Sequence, residues 1–78
     1  MCLGIPMKVV EVKEVNGYRV AIAEYGGMRR EVDASVIDDL KPGDWVIVHA
    51  GIAISKMEPE EAEELLKIYE EIEEALRS

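Results

Sequence analysis

Seventy-eight residues allow one domain, and a chain this short buries only about 60% of its unfolded surface, so its stability margin is thin. An apolar share of 49% argues for a folded chain over a disordered one. The net charge of -8, from 17 acidic and 9 basic residues, argues against nucleic-acid phosphates and anionic membranes as partners and leaves proteins or cations.

Met7–Val15 is rich in valine and reads as a strand. Asn16-Gly17 follows, a strong hairpin signal because both residues tolerate positive φ. The return strand, Tyr18–Tyr25, carries Tyr18, Val20 and Ile22 on one face and Arg19, Ala21, Ala23 and Tyr25 on the other. Beyond Gly26-Gly27, Met28, Val32 and Ala34 alternate with Arg29, Glu31 and Asp33, and Arg30 interrupts the apolar face, so this strand is expected near an edge.

Ser35–Lys41 reads as a short helical turn or loop, and Pro42-Gly43-Asp44 as a turn. Trp45–Ala50 is apolar on both faces and predicts a central strand covered twice; Gly51 is expected to bend it before it continues through Ile52–Ile54. From Pro59 the apolar period becomes helical, at Ala62, Leu65, Leu66, Tyr69, Ile72 and Leu76, with Ile68 off the stripe. The stripe is expected to cover the barrel or else to dock on a partner. The expected architecture is mainly β: a small β-barrel over residues 1–56, with an N-terminal cysteine arm, and a C-terminal amphipathic helix over residues 57–78.

A single cysteine cannot form an internal disulfide, and no apolar run approaches the roughly 18 residues a membrane helix needs. A cytoplasmic protein is expected. Cys2 has two readings. It is a small hydrophobe, or it is a functional thiol, which removal of Met1 would place beside a new α-ammonium that favours thiolate. Gly4 and Pro6 supply a flexible and then a stiff joint, and a mobile arm is expected. His49, the only histidine, is a hydrogen-bonded core residue, a metal ligand, a base for the thiol or an orienting group. One thiolate and one imidazole are half of a tetrahedral zinc site, so any metal would need ligands from a partner or from the cargo.

Two stretches, MCLGIPMKVVEV at the start and KPGDWVIVHAGIAISK from Lys41 to Lys56, resemble the HypC/HupF family of nickel–iron hydrogenase maturation chaperones. The resemblance covers essentially the whole chain. It departs at Ile52, where family members usually carry Phe or Tyr. It implies an OB-like barrel with a C-terminal helix, and a chaperone rather than an enzyme. It also implies binding to HypD, with HypE reached through that complex, and delivery of an Fe(CN)2CO unit to the hydrogenase large-subunit precursor. No permanent cofactor is implied, since the iron is cargo. Cys2 matches the family cysteine expected to ligate iron, and His49 the histidine expected to ligate it or orient a ligand. Cys2, Leu3, Gly4, Ile5 and Pro6 are the implied partner-binding residues. An OB-type nucleic-acid binder would need a basic groove with stacking aromatics. A Cys/His enzyme would need an oxyanion hole and a pocket, and neither set is evident. A purely structural adaptor would keep its function without Cys2.

Overall fold

The computed structural model describes residues 4–77; Cys2 and Leu3 lie outside the described residues. Five strands are present: β1 (Ile5–Val15), β2 (Tyr18–Tyr25), β3 (Met28–Asp33), β4 (Trp45–His49) and β5 (Ile52–Met57). One helix follows, α1 (Pro59–Arg77). The strands close into a barrel in the order β1-β2-β3-β5-β4, the OB-like arrangement.

Strand β1 begins two residues earlier than Met7 and serves two neighbours. Its first residues pair with β4, Ile5 opposite Val48 and Lys8 opposite Trp45, and the remainder pairs with β2. A register shift between Val9 and Glu11 bends the strand between these duties. At the bend Val9 donates to the Asp44 carbonyl and accepts from the Gly43 amide, each at 2.8 Å. Strand β3, expected near an edge, is closed on both sides: beyond its ladder with β2 it meets β5 at one parallel pair, Asp33 and Ile52.

The Asn16-Gly17 hairpin forms as expected, with φ of 52° and 82°. Gly51 does more than bend a strand. With Ala50 it makes a two-residue reversal, so β5 runs back along β4 with His49 opposite Ile52. Both turn residues have positive φ, 54° at Ala50 and 79° at Gly51, as a type I′ hairpin demands. A left-handed alanine costs roughly 1–2 kcal/mol. Ala50→Gly is therefore expected to stabilise the fold by about 0.5–1 kcal/mol, after subtracting the greater unfolded-state freedom of glycine. Urea unfolding measures this, and a destabilised variant would contradict it.

The barrel interior is narrow and filled by small side chains. Ala21, Ala23, Ala34 and Ala53 are fully buried with Val9 and Val46, while Ile37 and Leu40 from the β3–β4 connection add to the core. That connection is a chain of turns tied down by the Arg19 guanidinium, which donates to the carbonyls of Ala34 and Ile37. Lys56 anchors its far end, 3.3 Å from Asp39 and 3.2 Å from Asp44. Burial opposes the Lys56 charge, but hydrogen bonds to Asp44 and Asp39 outweigh it and raise its pKa. The hydrogen bond from Lys56, and then its charge, hold the Asp39 carboxyl below its usual range.

The signs of these shifts set a pH window. The Asp39 contribution is complete above the ordinary carboxylate pKa of about 3.9 and is lost as pH falls through the lowered folded value. The Lys56 contribution is complete below about 10.4 and is lost as pH rises through the raised folded value. Urea midpoints for wild type and Lys56→Met are expected to differ by a constant, small amount between those limits and to converge outside them. A difference that varies through neutral pH would contradict this.

Helix α1 starts with Pro59 in its first turn, and Glu61 accepts a hydrogen bond from the Glu58 amide at 3.1 Å, half of a capping box. Its stripe covers the barrel only in part. Ala62 is buried and Leu65, Leu66 and Tyr69 are half-buried, but Ile72 is 49% and Leu76 82% exposed. Length explains the difference. Nineteen helical residues span about 28 Å, against about 17 Å for the five residues of β4, so the helix outruns the wall it lies on.

Candidate functional site

The described chain begins at Gly4, two residues after Cys2, which lies outside the described residues. Gly4 sits at the root of the N-terminal arm, and three features converge on it. Tyr69 of α1 donates its hydroxyl hydrogen to the Gly4 carbonyl at 2.7 Å. Ile47 of β4 approaches so closely that a Cβ on residue 4 would lie 2.1 Å from its Cγ2. Only glycine fits that approach without displacing the arm or the isoleucine. The β1–β4 register, with Ile5 opposite Val48, places Gly4 level with His49 when continued by one residue.

His49 is exposed, not a core residue. The reason lies in the strand that carries it. Val46 and Val48 point into the barrel, whereas Trp45, Ile47 and His49 point outward. Trp45 lies in a depression shared with Pro59 and Leu66, and Ile47 in one shared with Leu65 and Ile68. The helix thus shelters the first two outward residues and leaves the third open. His49 is also next to the left-handed Ala50, a strained position of the kind that clusters at functional sites.

Pro6 does not belong to a free arm. It is fully buried and pairs with Ile47, so its part is to seat β1 in the barrel wall. Ile5 is 40% exposed. Gly4, read as a flexible joint, is held in place, whereas the mobile arm expected at Cys2 and Leu3 lies outside the described residues. Among the described residues no three His, Cys, Asp or Glu side chains gather as a metal site.

A hollow of about 470 Å³ opens at this part of the barrel, lined by Ile5, Met7, Tyr25, Met28, Val32 and Val48. Its wall is mostly apolar and suits apolar side chains better than an ion. The sequence reading missed this hollow and also Tyr69 as a contact of the arm. The helical period identified Tyr69 as apolar stripe, and its hydroxyl was the only local sign of a polar partner.

Residues 1–69 match the family model described as HupF/HypC family. This chain belongs to the HupF/HypC family. Among curated relatives, a hydrogenase maturation factor HypC of Helicobacter hepaticus is 41% identical over 73 residues, covering 92% of this chain and 81% of that protein. HypC of Cupriavidus necator is 38% identical over 73 residues, covering 94% and 78%. The hydrogenase maturation factor HybG of Escherichia coli K12 is 36% identical over 70 residues, covering 85% and 84%. The HupF/HypC match extends from the cysteine motif, through His49, to Tyr69. Its C-terminal limit coincides with the last covered turn of the helix. Among the described residues no helix is long and apolar enough to cross a membrane.

Proposed function

We propose that this hydrogenase maturation factor is an iron-cargo chaperone: with HypD it holds the Fe(CN)2CO unit and passes it to the precursor of the hydrogenase large subunit. The single observation that carries the reading is the family match over residues 1–69, which takes in both the N-terminal cysteine motif and His49.

The chemistry supports it. Low-spin iron(II) bearing cyanide and carbonyl is a soft centre, and thiolate is the soft donor in this chain. A carrier must also release its cargo, so it should leave the coordination sphere open. Cys2 supplies one sulfur, HypD supplies the rest, and the hydrogenase later replaces them. His49 ligates the iron or orients a ligand from the exposed end of β4. Exposed Ile5 and the apolar hollow that it lines offer the partner a contact. The acidic surface is compatible with protein partners and with cytoplasmic work. HypE acts through the complex with HypD.

Mixing the full-length chain with HypD of the same organism, without oxygen, tests the reading by co-purification and infrared spectroscopy of the complex. Capture of HypD together with cyanide and carbonyl bands is the expected result. Failure to capture HypD would overturn the proposal at its main point.

A further inference from the structure

We propose that Tyr69 is the positioning residue of the N-terminal arm, its hydroxyl latching the Gly4 carbonyl so that helix α1 fixes where Cys2 is presented. The inference rests on the reading of Cys2 as the cargo thiol.

Gly4 is held from two sides. The Tyr69 hydroxyl takes its carbonyl at 2.7 Å, across 65 residues of sequence, and Ile47 closes on its Cα from β4. Two residues of chain reach at most about 7 Å, so a fixed Gly4 limits how far Cys2 can range from it. Holding a reactive group in advance spares the ordering cost that binding would otherwise incur. A thiol that must meet iron jointly with ligands of another protein benefits from that restriction.

The hydroxyl is not needed to hold the helix. Ala62 is buried and Leu65 and Leu66 are half-buried in the preceding turns, so the helix is anchored before it reaches Tyr69. Tyr69 is the last residue of the stripe with substantial cover; Ile72 and Leu76 beyond it are exposed. A phenylalanine there would keep the ring and its packing. What it lacks is the one bond to the arm.

Tyr69→Phe in the full-length reduced chain tests the latch through backbone NMR relaxation at Gly4 and Ile5. Amide exchange at Val46 and Ala53 serves as a monitor of the barrel. Loss of a hydrogen bond of ordinary worth corresponds to roughly a fivefold shift toward the released arm. The Gly4 order parameter is expected to fall from the rigid range near about 0.85 toward about 0.6, with exchange at Val46 and Ala53 unchanged. Hydrogenase maturation, in cells whose own copy is deleted, is expected to fall by up to the same roughly fivefold factor.

An equally rigid Gly4 in the variant would overturn the latch. So would faster exchange throughout the barrel, which would mark Tyr69 as merely structural. Cys2→Ala, assayed in the same cells, separates the two layers of inference. Maturation unimpaired by Cys2→Ala overturns the thiol reading and, with it, the role of the latch. Maturation lost with Cys2→Ala, but Gly4 unmoved by Tyr69→Phe, overturns the latch alone.

Discussion

Cys2→Ala is expected to abolish the cyanide and carbonyl infrared bands of the complex with HypD, while the barrel folds as before. Residue 2 precedes the first strand, and among the described residues the interior is filled from Pro6 onward. The loss should be functional and large. Changing even an outer partner of a metal ligand costs about 10–100-fold in affinity, and removing the ligand itself should exceed that. His49→Ala provides the graded comparison: a histidine that orients a ligand predicts a loss within that 10–100-fold range, whereas one that ligates iron predicts a loss like that of Cys2→Ala. His49 is exposed, so its replacement should leave the melting temperature close to wild type. Bands that persist without Cys2 would refute the thiol account and leave only a protein-docking role for the arm.

Val46→Ala is expected to be the most damaging conservative change to the barrel. Val46 is completely buried on the strand that links β1 to β5, in register with Met7 on one side and Lys56 on the other. Removing two methyl groups there costs about 2–3 kcal/mol, combining the transfer loss with a cavity that the closed wall cannot collapse. A chain of this length holds only roughly 4–12 kcal/mol in all, at the usual stability per residue. The melting temperature should therefore drop by roughly 10–20 °C. Leu76→Ala is the control. It removes more carbon, yet Leu76 is 82% exposed, so the change should stay within about 0.5 kcal/mol. Thermal and urea unfolding by circular dichroism compare the pair. A Leu76→Ala loss as large as that of Val46→Ala would mean that the far end of the helix is covered in solution.

Local signals were strong where one residue type forces one geometry. Asn16-Gly17 announced its hairpin, Pro59 with the following acids announced the start of α1, and valine-rich β1 and two-sided β4 announced strands. The family resemblance rested on the same kind of local pattern, and the cysteine motif and His49 were legible without any fold. Ala50-Gly51 was not legible as a hairpin, because alanine gives no sign of the left-handed conformation that the antiparallel β4–β5 ladder imposes on it.

By itself, then, the sequence determined the mainly β fold with its terminal helix, and the family. Tertiary structure decided which faces turn inward. On β2 the barrel took the small side chains Ala21 and Ala23 and left Val20 and Ile22 partly outside, because five strands enclose too little room for larger ones. It also decided that Pro6 is wall and not arm, and that His49 stands beyond the shelter of the helix. Above all it brought Tyr69 onto Gly4, since a contact between residues 65 apart depends on the angle at which the helix crosses the barrel, which no local pattern encodes.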